Sequence, residues 1–325
     1  MVSLSAVLTS NSLIRSSLPP GLVAVFIGAT SGIGEISVKT FAKYARKPRV
    51  YIVGRSQDAA DRILAECASL NPEGQFSFTQ ADVSLIRGVD ELCGKIKAKE
   101  NSLNLLFLSA GVRSLDRKQT TEGLHLIAAL NYYSRVRVIS NLLPLLQKAT
   151  SLRRIVTVGG GGYEGAIDTT DFQALRVPLP ELRSHLITLI TLGLEAVART
   201  APEVSIVHDY PGTVKTPLLK DLSEEMLRDT VFVPLEECGE RHVYLATSAK
   251  YPPGSGGSVG VPLGDGLEVA SGSTGEPGNG IYSVGQDGEG TSLAVQELLA
   301  DLRGKGVVDA VRHHTEAEFK RITGE

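Results

Sequence analysis

The chain has 325 residues, 42% of them hydrophobic and 21% charged, with 33 Lys and Arg against 36 Asp and Glu and a formal net charge of −3. That length allows one large α/β domain with a substantial core, and the composition is that of a folded globular protein rather than a disordered or fibrous one. A near-neutral balance without a long block of one sign argues against a nucleic-acid partner, which would show a basic face.

Residues 1–20, MVSLSAVLTSNSLIRSSLPP, lack the basic start of a signal peptide and read as an N-terminal extension with a short opening helix. The alternative is a transit peptide, since the stretch is Ser-rich, with one Arg and no acid. GLVAVFIG (21–28) is continuously apolar, as a strand buried on both faces should be. A helical pattern follows over 34–45, a second strand over 49–55, a helix over 59–70 and a third strand over 75–83. The next helix covers 89–100 and the next strand 103–111. A long helix around 122–148 leads to the strand RIVTV (154–158), and after another helix EVSIVHDYPG (203–212) is a later strand. Strands alternating with helices predict right-handed crossovers and an α/β, doubly wound parallel sheet, a Rossmann fold, in a single domain spanning 21–250.

Thirteen of the 34 glycines crowd into the segment 251–290, expected to be an insertion or lid, with a mobile surface loop as the plain reading. Residues 291–325 close the chain as helices. Cys67, Cys93 and Cys238 are scattered without CxxC spacing, giving neither a disulfide framework nor a zinc signature and pointing to a reducing compartment. No apolar run approaches the roughly 18–20 residues that a membrane span needs. A cytoplasmic protein without membrane or metal partners is expected.

GATSGIG, from Gly28 to Gly34, lies between the first strand and first helix, the context in which glycines let a backbone approach a pyrophosphate at a helix N-terminus. Its candidate cofactor residues are Gly28, Thr30, Ser31, Gly32, Ile33 and Gly34. At the end of the second strand, where an acidic residue would take a ribose hydroxyl, the chain offers Arg55, which suits the 2′-phosphate of NADP(H).

With these pieces in order, residues 20–250 resemble the short-chain dehydrogenase/reductase family. The resemblance assigns Asp82 and Val83 (in ADV) to the adenine side, and Ser109, Ala110 and Gly111 (in LSAG) to the family's Asn-Ala-Gly motif with serine replacing asparagine. Asn131 is its helix asparagine, and Pro211, Gly212, Val214 and Thr216 (in YPGTVKTP) flank the nicotinamide.

That family moves hydride between nicotinamide and a carbonyl or alcohol carbon, using a Tyr, a Lys four residues later and a Ser on the preceding strand end. None of the nine tyrosines here has a lysine four residues on. Counted back from Glu195, the Tyr and Lys positions hold Leu182 and Leu186, and four glycines, 159–162, occupy the serine's stretch. Of the usual set Asn131 remains. The candidates for a replacement acid are Tyr163 after the glycines, Tyr210 before Pro211, and His185, which shares a helix face with Leu182. Arg183 could orient an anionic substrate or simply meet solvent. A tyrosine without a lysine neighbour, with an ordinary pKa of about 10, is a feeble base at neutral pH but can still act as an acid, which favours reduction.

The combination resembles divergent family members of fungal specialised-metabolite pathways. Three functions are compatible with it: an NADP(H)-dependent reductase of a small-molecule carbonyl with a non-standard proton donor; a redox-neutral cyclase or isomerase in which NADP shapes the pocket; and a non-catalytic dinucleotide-binding protein. The helix at 184–198 is apolar nearly all round, which predicts burial against a partner in a homodimer or homotetramer, or else against another part of the same chain.

Overall fold

Six of the apolar runs are strands: β1 (Val23–Ile27), β2 (Arg49–Gly54), β3 (Gln75–Gln80), β4 (Leu105–Leu108), β5 (Arg154–Val158) and β6 (Ser205–Asp209). A minor pair follows, β7 (Thr213–Val214) and β8 (Phe232–Val233), and β9 (Ile281–Val284) completes the main sheet. The computed structural model describes residues 2–114, 116–257 and 260–324. The main sheet has the order β3-β2-β1-β4-β5-β6-β9, with every neighbour parallel. Its order reverses between β1 and β4, so the crevice beyond their C-terminal ends is the topological switch point where α/β sheets bind ligands. The register aligns Ile27 with Val53 and Leu108, and Asp209 with Val158 and Val284. The loops leaving these strands therefore share one edge.

Alternation along β1 divides the core. Ala24 and Phe26 face α3 (Gly32–Tyr44), α4 (Gln57–Leu70) and α10 (Leu235–Thr247). Val23, Val25 and Ile27 face α5 (Ile86–Lys97), α7 (Ser134–Lys148), α8 (Leu179–Ala198) and α12 (Val307–Thr323). The N-terminal extension forms α1 (Leu4–Ser12) and α2 (Ile14–Ser17), and α1 lies on α10, where buried Asn11 donates to the Glu240 carbonyl at 2.9 Å and to its carboxylate at 2.7 Å. Short α9 (Glu224–Leu227) precedes α10, and α11 (Leu293–Gly304) precedes α12.

Two features differ from the sequence expectation, and a third follows the second of its two alternatives. The long helix around 122–148 is broken into α6 (Leu126–Ala128), a π-helical turn (Ala129–Tyr133) and α7. The widened turn carries Asn131, and such turns favour functional sites. Second, the glycine-rich segment is not all surface loop, because its end is β9, every residue of which is buried. Tyr251 donates to the Gly288 carbonyl at 2.7 Å and Tyr282 to the Pro252 carbonyl at 2.6 Å, stitching the segment's two ends together. Third, the apolar surface of α8 is covered inside the chain. Helix α12 packs along it, Tyr132 of the π turn meets Thr315 of α12 at 2.6 Å, and Gly193 of α8 leaves room for the Tyr132 ring: a Cβ there would lie 2.8 Å from its hydroxyl. The helix's apolarity therefore needs no second subunit.

Candidate active site

The dinucleotide half is built by close backbone approach. A Cβ built on Gly28, whose φ is +82°, would lie 2.6 Å from Ala110 Cα, and one on Gly34 would lie 2.5 Å from Ser109 Oγ. Ser109 donates to the Ile27 carbonyl at 3.1 Å, so the serine in the asparagine position fastens the end of β4 to the end of β1. Gly32, at φ +57°, sits with its Cβ direction 3.1 Å from Thr216, which brings the loop after β6 onto the glycine turn. Ser31 is the N-cap of α3, yet its side chain makes no capping bond, so the N–H groups of that helix end remain available to an anion. Ile33 is half-buried against the core, and Thr30 Oγ1 lies 2.5 Å from a Cβ direction on Gly54. Arg55 is exposed at the end of β2, and its guanidinium has no partner among the described residues. Asp82 is also exposed and accepts from Ser84 N–H at 2.9 Å; Val83 beside it is buried. Gly212 has φ +77°, and Val214 is buried next to Val233.

The four glycines after β5 fit against what lies behind them. A Cβ on Gly159 would lie 2.5 Å from His208 Nε2, one on Gly160 2.6 Å from Ile187 Cγ1, and one on Gly161 2.9 Å from the His208 carbonyl carbon. The space a strand-end serine would use is filled from β6. The loop is pinned by side chains of three elements. Gly160 N–H donates to His208 Nε2 at 3.1 Å, Gly162 N–H to Ser283 Oγ at 2.8 Å, and Gly165 N–H to Thr188 Oγ1 at 2.8 Å. Because Nε2 accepts, the His208 proton sits on Nδ1, which meets Thr191 Oγ1 at 2.9 Å; that hydroxyl donates to Glu164 Oε1 at 2.6 Å. Burial, with the Arg135 charge assisting, pushes the His208 pKa down to about 3. Burial raises that of Glu164, against hydrogen bonds from Ser283 and Thr191.

Under this floor lies Arg135, 4% exposed and four residues after Asn131. Its five N–H groups are all used. Nη1 donates to Thr157 Oγ1 and the Val158 carbonyl, each at 2.6 Å. Nη2 donates to the Ala110 carbonyl at 2.9 Å and Asn131 Oδ1 at 3.3 Å, and Nε to the Leu130 carbonyl at 3.3 Å. One guanidinium thus ties the ends of β4 and β5 to the π turn and aims Asn131, whose Oδ1 lies 3.1 Å from a Cβ direction on Gly111. Burial lowers its pKa to about 10, with the Asp209 charge opposing, so it stays a cation at neutral pH.

Tyr163 and Tyr210 come together, ring centroids 4.7 Å apart at 74°, with the Arg183 guanidinium 5.3 and 5.4 Å from the two centroids. Tyr163 is 52% exposed. His185 is elsewhere: it is buried, and its Nδ1 accepts from Asp168 N–H at 3.2 Å, so it holds the loop before α8 and does not face solvent with the tyrosines. Burial also lowers its pKa. Leu182 and Leu186 are buried as well.

This arrangement has named counterparts. A family model described as short chain dehydrogenase matches residues 22–166. The short-chain dehydrogenase/reductase SAT2 of Stachybotrys chartarum is 32% identical over 301 residues, which cover 83% of this chain and 84% of that protein. The chain belongs to the short-chain dehydrogenase/reductase family. Oxidoreductase AN1596 of Emericella nidulans is 40% identical over 340 residues, 98% of each chain. Among solved structures, the Pseudomonas aeruginosa RhlG/NADP active-site complex shares the fold, with a TM-score of 0.56 at 20% identity over 78% of this chain and 98% of that one.

On the other face of the sheet, His242 Nδ1 lies 2.7 Å from the Cys238 carbonyl and Nε2 lies 3.1 Å from Asp209 Oδ2. Both partners only accept, so the ring carries two protons. Burial opposes that charge, but Cys238 and Asp209 outweigh it and hold the pKa well above the usual histidine value. Sequence reading missed Arg135, Glu164, His208 and this pair. A histidine inside an apolar strand run carries no periodic signal, and nothing in NYYSRVR separates Arg135 from Arg137, which pairs with Asp90 at 2.6 Å.

Proposed function

We propose that the protein is an NADP(H)-dependent reductase of a carbonyl in a small specialised metabolite, with Tyr210 as the proton donor. The observation that carries this reading is that Tyr210, the residue following β6, leaves the sheet at the same edge as the uncapped N-terminus of α3, with Thr216 against Gly32 joining the two halves. The residues present fit the cofactor. The glycine turn and α3 N-terminus would take its pyrophosphate, Arg55 its 2′-phosphate, Asp82 and Val83 its adenine side, and Pro211 to Thr216 its nicotinamide side. When bound, NADPH supplies the hydride.

The chain's own residues do the rest. Tyr210 presents a phenol braced edge-on by Tyr163, and Asn131, held by Arg135, lines the floor between β4 and β5. No lysine follows either tyrosine at four residues: Val214 and Ile167 stand there. The arrangement therefore suits giving a proton rather than taking one. The oxidoreductase names of fungal relatives and the NADP in the solved RhlG complex support the same reading. No described helix is long and apolar enough to cross a membrane.

The test is NADPH titration by fluorescence, then single-turnover NADPH oxidation against cyclic and aromatic ketones. Tyr210→Phe should slow turnover on the order of 10²–10⁴-fold with cofactor affinity unchanged. Turnover unaffected by that change would remove Tyr210 as donor. Substrate conversion without cofactor oxidation would assign redox-neutral cyclisation or isomerisation instead. Absence of NADPH binding would defeat the reading altogether.

A further inference from the structure

Arg183 stands apart from most charged side chains near it. It is exposed in the second turn of α8, and among the described residues its guanidinium has no carboxylate partner and makes no hydrogen bond. What holds it is the pair of tyrosine faces, Tyr163 from the loop after β5 and Tyr210 from the end of β6. Stacking of this kind restrains the guanidinium plane while leaving its fork of N–H donors unused, the geometry that matches a carboxylate bidentately. Beside the fork lies a half-exposed aromatic ring, Tyr163.

A second observation points to the same charge. Arg135 under the floor hydrogen-bonds only to neutral oxygens, while the buried acid that acts on it, Asp209, is itself paired with the His242 imidazolium. Among the described residues no carboxylate contacts the Arg135 guanidinium directly, so its charge is not cancelled by an ion pair, in surroundings where charge is weakly screened.

We infer that Tyr163, Arg183 and Tyr210 form a recognition site for a flat, delocalised substrate carrying a carboxylate: the acid on the Arg183 fork and the ring system on Tyr163. This rests on the reading that this sheet edge is the substrate's side, and deepens it by naming the substrate's class.

The experiment is equilibrium binding of 2-naphthoate and of neutral 2-naphthylmethanol to the full chain with saturating NADP⁺, by calorimetry and by tyrosine emission, which no tryptophan obscures in this protein. Naphthoate should bind at least about 10-fold more tightly than the alcohol. Arg183→Met should abolish that preference while leaving alcohol and NADP⁺ affinities and the melting temperature unchanged. Arg183→Lys should retain part of it, since the charge remains but the fork does not. Equal binding of the two probes, binding of neither, or a preference that survives Arg183→Met overturns the inference. If NADP⁺ fails to bind but the naphthoate preference appears and depends on Arg183, the cofactor reading fails and the anion site stands.

Discussion

Introducing serine at position 159 should damage this protein rather than create a catalytic centre. A Cβ there would sit 2.5 Å from His208 Nε2 and 3.0 Å from its Cδ2, distances at which one group has to move. The ring has nowhere to go. It is fully buried on β6, between β5 and β9, and both nitrogens are engaged, one by Gly160 N–H and one by Thr191. Overpacking of this kind costs about 1–3 kcal/mol, and displacing the ring would also orphan the buried Gly160 N–H at about 1–3 kcal/mol. Gly159→Ser is therefore expected to lose about 2–6 kcal/mol in urea unfolding followed by circular dichroism. His208→Ala alone should also destabilise, by leaving a void and the same orphan. Combined, the two should be less damaging than their sum by at least about 1 kcal/mol, because the serine occupies vacated space. A Gly159→Ser protein within about 0.5 kcal/mol of the parent, or strict additivity with His208→Ala, would refute the argument that His208 fills the serine's place.

Arg135→Met removes the donor to five oxygens and should cost roughly 3 kcal/mol or more in the same unfolding assay, with Arg135→Lys intermediate. Acid should expose His208. Its folded pKa, about 3, lies below the unfolded value of about 6.5, so the stability it contributes is present above the unfolded value and is lost as pH falls toward 3, by at most ~1.4 kcal/mol per pH unit. Urea midpoints between pH 7 and 5 should fall less steeply in His208→Asn than in the parent. Asp209→Asn strands a buried imidazolium and should cost about 3–5 kcal/mol, and it should bring the His242 titration, followed by NMR, down toward the ordinary range. Arg55→Ala should weaken NADPH binding about 10-fold or more while leaving NADH unaffected, as measured by cofactor fluorescence.

Much of this architecture is readable from residue pattern because buried parallel strands write themselves as continuous apolar runs. GLVAVFIG and RIVTV are strands where the pattern puts them, and the glycine turn falls between β1 and α3 as expected. Strand β9 was not legible. IYSV is four residues long and flanked by glycine, and its place beside β6 is decided by tertiary pairing. The π turn is invisible for a different reason, since a single widened turn does not disturb apolar periodicity enough to register. At the site, the absence of any tyrosine with a lysine four residues on, and of serine from positions 159–162, is plain in the sequence, whereas the reason for the glycines is not. It depends on His208, some 48 residues away and brought alongside only by the pairing of β5 with β6. The meeting of Tyr163, Arg183 and Tyr210 is likewise a product of tertiary structure, two loops and the start of α8 brought to one edge.

The packing of α12 along α8 has a consequence for how the fold answers to protein amount. A helix covered by a neighbouring subunit is protected only while that subunit is bound, and its exposure then follows a concentration law. Here the cover is joined to the helix it protects through the chain itself, so its local concentration is set by tether length and not by how much protein is in the tube. The ordering of the glycine loop that Thr188 of α8 holds should stay constant across a thousand-fold dilution, whereas a single cut between α10 and α11 would make it depend on protein concentration.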